Sequence, residues 1–171
     1  MTIDKVLDKL LYNSLLREFS IIKFPTKGFF GDNENYNSIP YMTKYPIDKL
    51  IKDILIDAED RVINENTIKI CFSYPFNDKY IIEFKSSEHE GGFKRKDLVE
   101  IIINQYYKMY KEEEMTTKIQ VSSMGERIEM GMLNRNATNG KYGIYGHDID
   151  DLSLDSMILN TDGIWILSIS S

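Results

Sequence analysis

The sequence predicts an α+β domain in which one broad helix crosses a mixed β-sheet. Three stretches carry that expectation. Between Thr67 and Lys85, apolar and polar side chains alternate on either side of an Asn77-Asp78 turn, the two-residue period of a half-buried hairpin. From about Lys94 to Glu113 the period lengthens, and Leu98, Ile101, Ile102, Gln105, Tyr106 and Met109 fall along one side of a helix. Near the C-terminal end, Thr161-Asp162-Gly163 separates Met157–Asn160 from a second alternating run, Ile164–Ser170. Asp-Gly in that setting is a strong hairpin signal.

The remaining elements follow in chain order. Ile3, Val6, Leu7, Leu10, Leu11 and Leu15 recur at three and four, with Asp4, Lys5, Asp8 and Lys9 opposite; this predicts an amphipathic helix capped by Thr2. The period is lost from Phe24 to Tyr45, where Pro25, Gly28, Gly31 and Pro40 mark a long loop. Its aromatic residues predict that it packs down onto the domain. Pro46 suits the first position of a second helix, striped by Ile47, Leu50, Ile51, Ile54 and Leu55. In the hairpin, Ile68, Ile70, Phe72 and Tyr74 alternate with Lys69, Cys71 and Ser73, and Pro75 ends the strand. The Lys94-Arg95-Lys96 cluster reads as the solvated first turn of the long helix. Its far end, Glu112-Glu113-Glu114, opposes the helix dipole and predicts fraying. Short strands are expected around Ile119–Val121 and Ile128–Leu133, followed by a Gly- and Asn-rich connection and a compact turn over His147–Leu152.

Composition narrows the functional classes. A chain of 171 residues that is 42% hydrophobic and 28% charged has the make-up of one globular domain. Cys71 is the only cysteine, so an intramolecular disulfide is impossible and a reducing compartment is implied. With His89 and His147 it leaves too few soft ligands for a zinc-finger pattern. A net charge of −6 argues against binding a phosphate backbone, which needs clustered cations. The acidic start and the short apolar runs predict neither a signal peptide nor a membrane span.

Two segments bear candidate chemistry. His147, Asp148, Asp150 and Asp151, with Asp155 close by, bring an imidazole and several carboxylates together, a donor set suited to Mg²⁺, Ca²⁺ or Mn²⁺. The competing and preferred reading has these acids capping turn N–H groups while Ile149, Leu152 and Leu154 bury. The glycine ladder Gly140, Gly143 and Gly146, carrying Lys141, Tyr142 and Tyr145, has the look of a backbone clamp for a nucleic-acid strand. Here too the preferred reading is structural: glycine supplies positive φ in an irregular connection. No nucleophile elbow surrounds any serine, and Cys71 lies within a predicted strand.

The order hairpin, broad helix, short strand, compact turn and final strand resembles a ubiquitin-like β-grasp over residues 67–171. On that resemblance residues 1–171 form a single domain, with 1–66 as a helical and loop extension. The chain ends in Ser170-Ser171, without the Gly-Gly tail of a conjugated modifier. A narrower resemblance rests on Gly140-Lys141-Tyr142-Gly143-Ile144-Tyr145-Gly146-His147-Asp148-Ile149-Asp150-Asp151-Leu152-Ser153-Leu154. It is similar to a C-terminal segment of uncharacterised proteins from amoeba-infecting giant viruses, with Tyr145 where that family tends to have Trp. The resemblance implies a viral origin and a place in the host cytoplasm, the viral factory or the virion. It assigns no catalytic residue.

These features predict a non-catalytic interaction or structural protein that binds a protein partner or itself through an aromatic surface. Phe29, Phe30, Tyr36 and Tyr41 of the long loop are the expected contact residues, since Tyr and Phe bring large contact area at low rotamer cost. The alternative is a small divalent-metal-dependent enzyme or ion-binding module built on the acidic turn. An RNA-contacting accessory factor comes third. No cofactor is expected.

Overall fold

The computed structural model describes residues 20–28, 34–87 and 91–171. The expected first helix, Phe29, Phe30 and His89 lie outside that set. The described chain is an α+β fold built on a mixed five-stranded sheet.

The hairpin forms where the alternation placed it. Strands β5 (Thr67–Phe72) and β6 (Tyr80–Lys85) pair antiparallel with Ile68 opposite Phe84, Ile70 opposite Ile82 and Phe72 opposite Tyr80. Because side chains alternate across a strand, these six residues share one face. The second hairpin joins β8 (Ser153–Leu159) to β9 (Ile164–Ser170), and the Asn160 side chain accepts the N–H groups of Asp162 and Ile164 to close the turn. β9 then lies parallel to β5, with Trp165 beside Ile70. Trp165 and Leu167 therefore face the core, and Ile164 and Ile166 face the other way. β1 (Ile21–Lys23) adds an outer strand against β8, giving the order β1-β8-β9-β5-β6.

Short elements precede the hairpin. The expected long loop is largely a wrap. β2 (Thr26–Lys27) and β3 (Asn35–Tyr36) form a two-stranded ribbon. Beyond it, Ile39 exchanges backbone hydrogen bonds with Leu154, and Met42 N–H donates to the Leu152 carbonyl. Phe24, Ile39 and Met42 are fully buried. The second helix is one turn, α1 (Ile47–Lys49), that opens into a π turn over Leu50–Ile54. Leu50 and Leu55 are buried, while Ile47, Ile51 and Ile54 pack against the core as the stripe predicted. β4 (Arg61–Ile63) pairs with β7 (Phe93–Lys94) at the foot of the long helix.

That helix, α2 (Arg95–Thr116), covers the core face of the sheet with Leu98, Val99, Ile102, Ile103, Tyr106, Met109 and Tyr110. The basic cluster at its start is paired, not merely solvated. Lys94 and Lys96 both reach Glu59, and Arg95 donates to the carbonyls of Lys23 and Asp57. Around Tyr106 an aromatic core assembles: Phe76 stacks on Tyr106 at 5.6 Å, Phe72 meets it edge-on at 5.4 Å, and its hydroxyl donates to the Tyr74 carbonyl.

The strands expected after α2 do not form. Neither Ile119–Val121 nor Ile128–Leu133 is a strand. Instead Met124–Glu129 forms a short helix, α3. The cause is local: Ser123 Oγ accepts the Glu126 N–H at 3.3 Å and Glu126 Oε2 accepts the Ser123 N–H at 2.7 Å. This reciprocal capping box satisfies two donors at the helix start.

Candidate functional site

The two predicted sites come together at the C-terminal half of α2, and both are occupied by the protein itself. In the acidic turn, residues Ile149–Asp151 form one 3₁₀ turn that begins after Asp148. The Asp151 carboxylate accepts the Asp148 N–H at 3.1 Å, and Asp150 accepts the Thr43 hydroxyl at 2.7 Å. Asp148 points elsewhere, 2.5 Å from Arg127 Nη2 and 3.7 Å from Arg135 Nη1. The His147 ring lies against Tyr74 and shares a hydrogen bond with the Ser171 hydroxyl. The carboxylates thus diverge to separate partners. Among the described residues, no three His, Cys, Asp or Glu side chains converge as an ion-binding group. Adding Mn²⁺ or Ca²⁺ is expected to leave the melting temperature where it is; an ion-dependent rise by mass action would return the turn to the list of metal sites.

The glycine ladder encloses a side chain that the sequence marks only as part of a fraying helix end. Glu113, fully buried, lies in the last turns of α2, where fraying was expected. Its carboxylate accepts the N–H groups of Gly140 and Tyr142, each at 2.7 Å, and of Gly143 at 3.1 Å. A Cβ on Gly140 would sit 2.7 Å from that carboxylate, so only glycine allows the approach. Gly143 has φ +62° and faces Asn77, which a Cβ would meet at 2.0 Å. Burial pushes the Glu113 pKa up, but hydrogen bonds from Thr138, Tyr142, Gly140 and Gly143 outweigh it and hold the acid below its ordinary value. Beside it, Glu112 binds Lys141 and the Tyr142 hydroxyl. The ladder is an anion nest whose anion is the protein's own carboxylate. Glu113 was identifiable from a single signal, an acid placed where the helix dipole disfavours it.

What the region presents outward is different in kind. In α3 the one buried residue is Arg127, which turns inward to Asp148, whereas Met124 and Ile128 point to solvent one helical turn apart. Met115, Ile119, Met130, Met132 and Leu133 are exposed as well, Leu133 by 76%. The inner side of this segment is fastened by polar contacts. Asn136 binds Ser122 N–H and the Gln120 carbonyl, and Asn139 accepts the Lys118 N–H. Arg135 is also buried, with its guanidinium 5.4 Å over the Tyr110 ring. The usual pattern is inverted: charge holds the segment to the domain, and apolar side chains meet water. A groove of about 410 Å³ opens along Glu114, Thr117, Ile119 and Val121.

Of the four predicted contact residues, Tyr36 is half-buried and packs against the core. Tyr41 is exposed, at a left-handed φ of 48°. Phe29 and Phe30 fall outside the described residues. Among those residues, no helix is long and apolar enough to cross a membrane. No family profile, curated protein or solved structure matches the chain.

Proposed function

We propose that this protein is a non-catalytic binding module that captures a protein partner through the apolar segment 115–133. The observation that carries the reading is the inversion of α3, whose Met and Ile side chains face solvent while its arginine is buried. Contiguous apolar surface rimmed by polar groups marks interaction sites on soluble domains. Methionine suits such a surface because its flexible thioether adapts to the partner's shape. The exposed rim is mostly acidic, with Glu114, Glu126 and Glu129 against Lys118. The partner that fits is an amphipathic helix whose apolar stripe is flanked by Lys and Arg.

The fold and origin readings sit beside this one. The neighbouring of β6, β5, β9 and β8 under a crossing helix supports the β-grasp reading of the core. The similarity of residues 140–154 to giant-virus proteins supports a viral origin, with a viral or host protein as the partner.

The test pairs binding with stability. A labelled synthetic helix of Leu and Lys is titrated against the wild-type chain and against Ile128→Glu with Leu133→Glu. The double variant is expected to bind about tenfold or more weakly, a loss of about 1.4 kcal/mol or more. Its unfolding free energy should stay within about 0.5 kcal/mol of wild type, as for surface substitutions generally. Equal affinity of the two chains for the probe removes this surface from the proposal. A wild-type chain that self-associates while the variant stays monomeric assigns the surface to a second copy.

A further inference from the structure

The five-stranded sheet ends at β6, and that edge is open. One step beyond the Thr67–Lys85 pair, Ser86 N–H donates to the carbonyl of Asn66, the residue opposite it. Hydrogen-bonded pairs recur at every second residue of an antiparallel ladder. Phe84, Ile82 and Tyr80 therefore turn their main chain toward β5, and Ile81, Glu83 and Lys85 turn theirs outward. Among the described residues, nothing pairs with those outward groups. Edge strands are commonly closed to pairing by a bulge, a proline or a charge that points inward. β6 is six residues long in unbroken register, contains no proline, and sends Glu83 and Lys85 to the exposed face away from α2. Against the end of the strand lies a cleft of about 430 Å³ between β6 and α2, walled by Phe84, Ser86, Phe93, Ile101 and Gln105. An open edge beside an unfilled cleft is a place for one more strand.

We propose that β6 pairs antiparallel with β6 of a second copy about a two-fold axis through Phe84, joining the two sheets edge to edge. Outward-turned residues must stand opposite one another, which leaves few registers to compare. With the axis at Phe84, Glu83 lies opposite Lys85 of the second copy and Lys85 opposite Glu83 of the second copy. Both charges of the strand are then matched. On the side facing α2, Phe84 meets Phe84 of the second copy, and each Ile82 stands beside the other chain's Ser86, so the two clefts are covered. Other registers do worse. An axis at Glu83 sets that carboxylate against itself, and an axis at Ile82 sets Lys85 against Lys79. An axis at Ile81 matches Glu83 with Lys79 but sets Phe84 against Asp78 and leaves the cleft in water. Opposite charges facing across strands stabilise a pair, and like charges destabilise it. A two-fold contact of this kind closes on itself, so the edge that each copy exposes is used up in the dimer. The interface shares no residue with the binding surface at 115–133.

Charge reversal tests the register. Sedimentation of the full-length chain over a concentration series gives the dimer dissociation constant. Glu83→Lys alone and Lys85→Glu alone each turn both cross-strand ion pairs into like-charge pairs. Each is expected to raise that constant about tenfold or more. Glu83→Lys combined with Lys85→Glu restores opposite charges in both pairs and should return it to within about threefold of wild type. Both positions are exposed, so the thermal unfolding of the monomer should change little. Amide exchange at Glu83 and Lys85 should slow at dimer-forming concentrations and quicken on dilution, which pairing elsewhere on the surface would not produce. A wild-type chain that stays monomeric at about 1 mM overturns the proposal and leaves the edge to an extended peptide of another protein. Single reversals that leave the constant unchanged also overturn it. So does a dimer that is lost only in Ile128→Glu with Leu133→Glu, because self-association then belongs to the segment 115–133.

Discussion

Replacing Glu113 by alanine is expected to remove about 3–5 kcal/mol of unfolding free energy, more than half the stability of many domains. The carboxylate accepts three backbone N–H groups from the Gly140–Gly143 segment, and with it gone the buried donors of Tyr142 and Gly143 and the half-buried one of Gly140 lose their acceptor. A donor left in that state costs about 1–3 kcal/mol. Glu113→Gln keeps one acceptor oxygen and should lose roughly half as much, since its amide also brings a donor into a cradle of donors. The same cradle sets a pH dependence. Glu113 has a folded pKa below its ordinary value, so its stabilisation is complete above the unfolded value of about 4.3 and is lost as pH falls through the folded one. Acid titration of wild type and Glu113→Gln should therefore converge as pH falls through the lowered folded value, where the wild-type carboxylate takes up its proton. Denaturant curves at neutral pH decide the main claim. A loss under about 1 kcal/mol for the alanine variant means the nest does not hold the loop.

The regular elements were legible because each rests on a short-range period. Alternation over Thr67–Lys85 and Ile164–Ser170 marked both hairpins, since one residue of slip would invert every side chain. The helix from Arg95 was equally plain. Three features were not legible, each for a stated cause. Apolar density near Ile128–Leu133 reads as a strand when alternation is sought, and the Ser123–Glu126 capping box that makes a helix there is a pairwise signal between polar residues. The loop around Ile39 and Met42 pairs with Leu152 and Leu154, more than a hundred residues away, and no local pattern encodes a contact at that distance. Glu113 and the glycines were both noticed, but apart. Only the fold brings the helix end to the loop, turning two unexplained features into one anchor. The candidate metal turn dissolved for a related reason: sequence gives the spacing of carboxylates but not the direction in which each points.

Asp148 is where that distinction has its largest consequence. Asp148→Ala is expected to cost about 3–5 kcal/mol, whereas Asp150→Ala should cost under about 1 kcal/mol. Asp148 is the carboxylate closest to two guanidinium groups whose side chains are only 5% and 3% exposed, those of Arg127 and Arg135. Each arginine also keeps two buried nitrogens without a hydrogen-bond acceptor, Nε and Nη1 of Arg127 and Nε and Nη2 of Arg135. Removing the counter-charge the two share leaves Arg135 with the exposed Glu114 at 4.0 Å, in a setting that already underserves both cations, and breaking a buried pair costs more than the pair is worth. Asp150 stands at the surface and loses one hydrogen bond, from Thr43. An ion site predicts the opposite ranking, with Asp148, Asp150 and Asp151 contributing alike and the loss restored by Mn²⁺ or Ca²⁺. The variant also bears on binding. Arg127 is the only buried side chain of α3, so Asp148→Ala should loosen the helix that presents Met124 and Ile128. Affinity for the Leu–Lys helix should then fall even though no contact residue has changed. Should Asp148→Ala unfold the domain outright, Arg127→Met separates the two effects. It removes the anchor while leaving Asp148 beside Arg135, and it is expected to spare most of the stability while still weakening capture of the probe. Full affinity in Arg127→Met would show that α3 needs no ionic anchor to present its apolar face.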